Sequence, residues 1–236
     1  MASDSRTGAD TASSAAPSTF QWPREYSFPP FFTIQPNKTT RHTQFVKWSA
    51  LVQSYCAHHR IFKLRVSAAA PASLPGLPNP TGAGGTSEAA TTVAAAAANA
   101  DGGAGDNIAE PAVELFANRR VKRRLFPDDA REVVDYMHRH GAAEWIDETG
   151  GGQKDLAWIW WHTPEQWAAM IEDWVDDTAQ KGAVLTLYEI AEGEGTRGTE
   201  LHDLDRDVLH RALKILVNRG KAQIFGSGDS QGVKFF

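Results

Sequence analysis

Hydrophobic residues recur at helical spacing over several stretches of the chain. The clearest run, from about Thr40 to Arg60, places apolar side chains three and four positions apart and predicts an amphipathic helix. Thr39 or Thr40 is the expected N-terminal cap of this helix. Its predicted inward stripe consists of Phe45, Trp48, Leu51, Val52 and Tyr55. The pattern predicts further helices over Pro111–Asn118, Pro127–His140, Pro164–Thr178 and Asp205–Asn218.

These other helices carry stripes of the same kind. The predicted inward residues are Ala130, Val133, Val134, Met137, Trp167, Met170, Ile171, Trp174, Val208, Ala212, Leu213, Leu216 and Val217. Shorter apolar runs between the helices indicate strands. The predicted strands are Ile61–Val66, Ala143–Asp147, Leu156–Trp161, Val184–Leu187, Ala222–Phe225 and Gly232–Phe236. A short helix is predicted over Tyr188–Ala191.

The chain contains an internal repeat. H-R-H-G-A-A-E-W-I at 138–146 aligns with V-N-R-G-K-A-Q-I-F at 217–225. Each copy is the end of a helix, a glycine and then a strand, and the order in both halves is helix, strand, helix, helix, strand, strand. This is the order of a winged helix. The sequence therefore predicts an α+β, mainly helical fold of two tandem winged-helix domains, over 20–161 and 162–236, joined near His162.

Two stretches contain almost no large apolar side chains. Residues 1–19 are small and polar and predict a disordered tail, because they cannot bury enough surface to offset chain entropy. Residues 68–110 are rich in Ala, Gly, Pro, Ser and Thr and predict a disordered insertion within the first domain. Loop closure costs little more as a loop grows, so deleting 70–108 is expected to change stability by less than roughly 1 kcal/mol.

The segment from Trp22 to Gln35 differs from the rest of the chain. It holds five aromatic residues and three prolines in fourteen positions. Proline fixes φ and favours an extended conformation in the residue before it, so the segment predicts a stiff, extended, polyproline-like arm rather than a helix. Its aromatic side chains are expected either to meet a partner or to fold back on their own domain.

Composition narrows the function classes. The 236 residues carry 24 Lys+Arg and 29 Asp+Glu, a net charge of −5, which disfavours a protein that binds nucleic acid with its whole surface. The single cysteine, Cys56, is expected to be buried and to act as a small apolar residue. Because one cysteine cannot form an internal disulfide, a reducing compartment is expected. No apolar run approaches the roughly 20 residues that span a bilayer, so any membrane role is expected to be indirect.

The sequence contains no recognisable motif for a metal site, a catalytic site or a nucleotide-binding site. The histidine pairs His58–His59 and His138–His140 diverge on their helices, which predicts no metal site. The sequence has no nucleophile elbow and no phosphate-cradling loop, and Gly150–Gly152 precede a strand rather than a helix. We therefore predict no catalytic residue, no cofactor and no enzymatic activity.

A winged helix can also bind DNA through its third helix, so a nucleic-acid-binding regulator is the alternative function. The predicted third helices begin with acidic residues, which repel phosphate and stabilise the helix dipole. These residues are Asp128, Asp129, Glu132, Asp205 and Asp207. A basic cluster spans 119–124 and is either a solvated link between helices or a contact for an acidic partner or an anionic lipid headgroup.

Tryptophan is concentrated at the predicted domain junction. Alternation along the strand places Trp158 and Trp160 on one face and Trp161 on the other. Tryptophan on both faces predicts burial on both sides, between the two domains or under a partner, and the interdomain position is favoured.

The motifs of both chain ends resemble a known family. F-x-W-P-x-x-Y-x-F-P-P-F-F-T-x-Q-P-N at 20–37, W-S-A-L-V at 48–52, T-L-Y-E at 186–189 and G-V-K-F-F at 232–236 are similar to the vacuolar protein sorting-associated protein 25 family, the small subunit of ESCRT-II. The resemblance covers 20–67 and 111–236. The family has only a short connection where this chain carries its insertion.

The resemblance implies a non-catalytic scaffold, present in two copies per complex, that sorts ubiquitinated cargo into multivesicular bodies. It implies that the arm and first domain bind the two larger ESCRT-II subunits, vacuolar protein sorting-associated proteins 22 and 36. The second domain would recruit and activate an ESCRT-III subunit, vacuolar protein sorting-associated protein 20. The protein would be cytoplasmic and recruited to endosomal membranes.

The resemblance also implies which residues of the arm bind. The positions that match the motif are Trp22, Tyr26, Phe28, Pro29, Pro30, Phe31 and Phe32. Pro29, Pro30, Phe31 and Phe32 are the expected direct contacts. Truncating Phe31 and Phe32 to Ala is then expected to abolish assembly with the larger subunits while leaving the chain folded and still able to bind the ESCRT-III partner through 164–236.

Overall fold

A computed structural model describes residues 19–71, 73–77, 112–146, 154–226 and 231–236. Most of the predicted tail, most of the predicted insertion and residues 147–153 lie outside these ranges. The prediction of disorder from residue 68 is wrong at its start, because a short helix covers Val66–Ala69 and the side chains of Ala69 and Ala70 are buried. The described part contains both helices and short strands. The helices are α1 (Lys38–His59), α2 (Val66–Ala69), α3 (Val113–Phe116), α4 (Pro127–Arg139), α5 (Pro164–Asp177), α6 (Leu187–Ala191) and α7 (Arg206–Asn218).

The strands form two three-stranded sheets and one small hairpin. They are β1 (Lys63–Arg65), β2 (Ala117–Asn118), β3 (Arg123–Arg124), β4 (Ala143–Ile146), β5 (Leu156–Ile159), β6 (Val184–Thr186), β7 (Ala222–Phe225) and β8 (Gly232–Phe235). The first sheet has the order β1-β5-β4 and the second the order β6-β8-β7, and every pairing is antiparallel. Both halves therefore place their last strand in the middle of the sheet.

The repeat is also visible at the ends of α4 and α7. Gly141 and Gly220, which align in the sequence, have φ values of 74° and 71°, a left-handed conformation that glycine adopts without steric cost. The strands that follow, β4 and β7, begin two residues later in both halves. The predicted order of helices and strands holds in the second half. In the first half, the short helix α2 and the two-residue strands β2 and β3 are additional to the predicted order.

Helix α1 begins two residues earlier than predicted. Asn37, rather than Thr39 or Thr40, is the cap, and its side-chain oxygen accepts hydrogen bonds from the amides of Thr39 and Thr40 at 3.0 and 3.1 Å. All five residues of the predicted stripe are buried, and Cys56 is fully buried beside them. The helix thus forms one wall of the first core, against α4, whose four stripe residues are all fully buried.

The segment before α1 is not the extended arm that its prolines predicted. Two short 3₁₀ helices, Arg24–Ser27 and Pro29–Phe32, fold it against the first core. The prolines allow this because the first turn of a helix tolerates their fixed φ and missing amide. Phe31 and Phe32, expected at a partner interface, are 6% and 2% exposed.

The second core is formed mainly by α5, α6, α7 and the second sheet. Most predicted stripe residues are buried there. Val217 is the exception, because it is 37% exposed at the end of α7, and Met170 and Trp174 are only partly buried at the rim. Asp205 caps α7, and capping boxes begin α5 at Thr163 and α6 at Thr186.

Candidate docking surface

The anchor of the N-terminal segment is a pair of stacked rings. Phe31 lies against Trp48 of α1 with ring centroids 4.3 Å apart and planes 8° from parallel. Phe32 packs edge-on against the same indole at 5.6 Å. Gln44 donates hydrogen bonds to the carbonyl oxygens of Phe31 and Thr33 at 2.8 and 2.9 Å, which satisfies backbone that the aromatic rings bury.

A second contact joins the segment to the rest of the first half. The ring of Tyr26 stacks on Trp22 at 3.9 Å, and its hydroxyl donates to the carbonyl oxygen of Glu114. Burial raises the pKa of Tyr26, so the hydroxyl remains a neutral donor. Asn118 of β2 donates to the carbonyl oxygen of Tyr26 at 2.7 Å. The segment is therefore fixed at both of its short helices.

The structure divides the seven motif residues into two groups. Tyr26, Phe31 and Phe32 are buried and hold the segment in place, and Trp22 is partly buried on top of Tyr26. Phe28, Pro29 and Pro30 form an exposed ridge between the two 3₁₀ helices, and Phe28 is 60% exposed. A folded chain can therefore offer the ridge to a partner, whereas Phe31 and Phe32 are committed to its own core.

The basic cluster at 119–124 lies in the link between α3 and α4, which is one of its two expected positions, but this link contains a hairpin that was not predicted. β2 and β3 pair antiparallel, and the side chain of Asn118 accepts from the amides of Arg120 and Val121 to fix the turn. Arg124, only 3% exposed, donates to the carbonyl oxygen of Pro71 at 2.9 Å and lies over the ring of Phe126. The two-residue strands are too short for sequence periodicity to reveal them.

A cleft lies between the N-terminal segment and this hairpin. It has a volume of about 590 Å³ and is bordered by Trp22 and Tyr26 on one side and by Asn118 and Arg119 on the other. A neighbouring cleft of about 520 Å³ is lined by Phe20, Trp22 and Tyr55. Glu114 borders both clefts.

Trp158 of β5, together with Trp160 and Trp161 just after the strand, joins the two halves, which is the position favoured by the sequence. Trp158 and Trp160 stack with centroids 5.4 Å apart and planes 7° from parallel, and both belong to the second core although β5 belongs to the first sheet. Arg211 of α7 lies over both rings, at 5.3 and 5.5 Å, and pairs with Glu144 of β4 at 2.6 Å. Trp161, on the other face, is partly buried against both cores.

Charged groups at the start of α7 meet the first half. Lys63 of β1 lies 2.9 Å from Asp207 and 3.8 Å from the buried Asp205. Burial raises the pKa of Asp205, although Lys63 and the capping amides act in the opposite direction. Asp205, the cap of α7, is therefore buried against the first half, whereas Asp207 keeps 60% of its side chain exposed and leaves an acidic group at the start of the helix.

The start of α4 is acidic. Asp128 is exposed and pairs with Arg131 at 2.8 Å. Burial, and then the nearby Glu132 and Asp128, raise the pKa of Asp129. Such a helix start repels a phosphate backbone.

Within the residues that the structure describes, no three His, Cys, Asp or Glu side chains come together as a metal site. None of the helices in the described ranges combines the length and the apolar content needed to cross a bilayer.

Two small antiparallel sheets of the same strand order, each covered by its own helices and joined through a tryptophan-bearing strand, define an α+β protein with an internally repeated architecture. Comparison with known sequences identifies its family. Residues 25–205 match the family of ESCRT-II complex subunits, and the chain belongs to this family.

Its relatives include the vacuolar protein-sorting-associated proteins 25 of Xenopus laevis and Homo sapiens. They are 32% and 33% identical to the chain over 217 residues, which is 92% of this chain and 99% and 98% of theirs. The fold resembles the crystal structure of VPS25 of ESCRT-II, with a TM-score of 0.65, 23% identity and coverage of 91% of this chain and 98% of the other. It also resembles a chain in the crystal structure of the VPS22/VPS25/VPS36 complex, with a TM-score of 0.63, 24% identity and coverage of 90% and 98%.

Proposed function

We propose that the chain is the small scaffold subunit of ESCRT-II and that it works in endosomal sorting of ubiquitinated cargo without catalysing a reaction. The observation that carries this proposal is the relationship to vacuolar protein-sorting-associated proteins 25 over 92% of the chain. The solved VPS22/VPS25/VPS36 complex supports the larger subunits as partners. Each half of this chain is a winged-helix domain, with the boundary near His162.

The proposed contact with the larger subunits is the ridge of Phe28, Pro29 and Pro30. Phe28 presents a large apolar ring to solvent, and the two prolines restrict the backbone beside it, so little conformational entropy is lost on docking. Trp22, Tyr26, Phe31 and Phe32 support the ridge from below. This assignment revises the expected direct contacts, since only the two prolines of that set remain exposed.

The second domain is proposed to recruit and activate an ESCRT-III subunit, and two copies of the chain are proposed to serve one complex. The cytoplasmic protein would reach endosomes through its larger partners. Regulation of transcription by DNA binding is disfavoured because α4 and α7 both begin with acidic residues, which repel a phosphate backbone.

Co-expression of the chain with the two larger subunits tests the proposal. The full chain is expected to co-purify with both as one assembly. Phe28→Ala is expected to weaken the association by roughly 10-fold to 100-fold, as aromatic anchors of interfaces do. Phe225→Ala is the matched control, because Phe225 is an exposed phenylalanine of the second half, 39% exposed.

Wild-type affinity in the Phe28 variant would place the contact elsewhere. Failure of the unmodified chain to assemble with the larger subunits would refute the scaffold function itself.

A further inference from the structure

The cationic hairpin, defined by the exposed side chains of Arg119, Arg120, Lys122 and Arg123, has no role in the fold that the structure reveals. None of the four forms an ion pair with an acidic side chain within the described residues. Four positive charges on one short turn repel each other, which is unusual in a chain with a net charge of −5. A surface of this kind gains stability when an acidic partner covers it.

The hairpin is held in place by its neighbours. Its base is anchored by the buried Arg124, by the amide of Leu125 donating to the carbonyl oxygen of Phe116 at 2.7 Å, and by Asn118. Asn118 fixes the turn with its oxygen and binds the carbonyl oxygen of Tyr26 with its nitrogen. The side chains therefore project from a rigid support, which lowers the entropy lost when they bind.

The hairpin and the ridge share one side of the molecule. Strand β3 contacts the 3₁₀ helix Pro29–Phe32, and the hairpin borders the cleft whose other wall is Trp22 and Tyr26. A partner seated on the ridge would therefore lie next to the hairpin from which the four cations project. Continuity with the ridge favours a protein partner over a membrane, since the ridge offers an aromatic and proline contact typical of protein docking.

We propose that the cationic hairpin is the electrostatic half of the docking surface for the larger ESCRT-II subunits, and that it binds an acidic segment on one of them. The inference rests on the proposed function and deepens it. Charges at the rim of an interface accelerate association and select the partner, whereas the apolar ridge slows dissociation. The hairpin thus determines the salt dependence of assembly, and Phe28 determines its lifetime.

The test compares two charge-matched variants of the full chain against the purified pair of larger subunits. The hairpin variant is Arg119→Gln, Arg120→Gln, Lys122→Gln and Arg123→Gln. The control variant removes the same charge from exposed positions elsewhere and is Lys38→Gln, Lys181→Gln, Lys214→Gln and Arg219→Gln. Both are expected to keep the wild-type melting temperature, because all the altered side chains are exposed.

Association rates are measured at low salt, about 0.05 M, and at high salt, about 0.5 M, where the Debye length falls from roughly 14 Å to roughly 4 Å. The wild type and the control are expected to associate at least about 10-fold more slowly at high salt, and the hairpin variant to be slow at both. The dissociation rate is expected to change little. A hairpin variant with the wild-type rate and salt dependence would overturn the inference while leaving the scaffold function intact.

A second measurement separates protein from lipid. The full chain is mixed with vesicles of phosphatidylcholine containing about one third phosphatidylserine, which present a negative surface. We expect no binding that depends on the hairpin. Sedimentation of the wild type and the control with these vesicles, but not of the hairpin variant, would assign the cations to a membrane and overturn the inference. If the unmodified chain fails to associate with the larger subunits at either salt concentration, the proposed function fails first.

Discussion

Phe31 both stacks on Trp48 and accepts a hydrogen bond from it, because the indole nitrogen donates to the Phe31 carbonyl oxygen at 3.0 Å. Ring stacking and a buried polar contact thus link the same two residues. The proline-rich segment is consequently part of the first core, and the partner-facing surface is restricted to what this contact leaves exposed.

Truncation of the buried phenylalanines is therefore expected to destabilise the chain. Phe31→Ala and Phe32→Ala each leave a cavity in the first core and are expected to cost about 3–5 kcal/mol of unfolding free energy. Phe28→Ala, at a 60% exposed ring, is expected to change stability by less than about 0.5 kcal/mol. Thermal and denaturant melts measure both. Equal, small effects at all three sites would show that the segment does not pack on α1.

The N-terminal cap of α1 gives a local test. Asn37→Ala removes the acceptor of two helix amides and is expected to cost about 1 kcal/mol. Thr39→Ala is the comparison, because Thr39 contributes its backbone amide but not its side chain to the cap. Urea denaturation measures the unfolding free energy of the two variants. A larger loss of stability for Thr39→Ala than for Asn37→Ala would contradict the assignment of Asn37 as the cap.

Lys63 is expected to be a sensitive point of the contact between the halves. Lys63→Ala leaves the carboxylate of Asp205, whose side chain is 3% exposed, without its cationic neighbour and is expected to cost on the order of 3 kcal/mol. Lys47→Ala removes an exposed pair with Glu25 and is expected to cost less than about 1 kcal/mol. Tryptophan emission during denaturation reports the result, since Lys63 lies 4.8 Å from the Trp158 ring. Similar losses for the two lysines would contradict a buried role for Lys63.

Cys56 gives a direct probe of unfolding. Burial raises the pKa of its thiol, so the reactive thiolate is suppressed in the folded chain at neutral and mildly alkaline pH. A thiol reagent at about pH 8 is expected to label the native chain only as fast as the first core opens, and to label the urea-unfolded chain at the rate of a free cysteine. Mass spectrometry follows the single site. Rapid labelling of the native chain would contradict the full burial of Cys56.

Sequence reasoning predicted those features that depend on local periodicity. The stripes of α1 and α4 were confirmed because a spacing of 3.6 residues leaves one face of a helix apolar, and Trp158 and Trp160 share a face because strand side chains alternate. The prediction of an extended chain at Pro29–Phe32 was wrong, because the φ angle that proline fixes is compatible with both an extended chain and a 3₁₀ turn. The contact with Trp48, which lies 17 residues after Phe31 in the sequence, stabilises the 3₁₀ turn rather than the extended chain.

Other features depend on residues far apart in the sequence. Lys63 and Asp207 are 144 positions apart, so no spacing rule joins them. The hairpin strands contain two residues each, below the length at which alternation is visible. The sequence motif therefore located the candidate surface. Which of its residues are buried and which form the exposed ridge depends on tertiary packing, which the sequence does not show.

Some aromatic side chains of the first half belong to the second core, and this affects folding during translation. Ile61 and Leu64 point into the first core, whereas Phe62, between them, lies in the second together with Trp158 and Trp160. During synthesis the N-terminal half leaves the ribosome first, and these three aromatic side chains stay uncovered until α5 and α7 have been translated. A nascent chain that has emerged from the ribosome only as far as about residue 165 would therefore display a tryptophan-rich surface, which makes this stage of synthesis the natural point for chaperone capture or for aggregation.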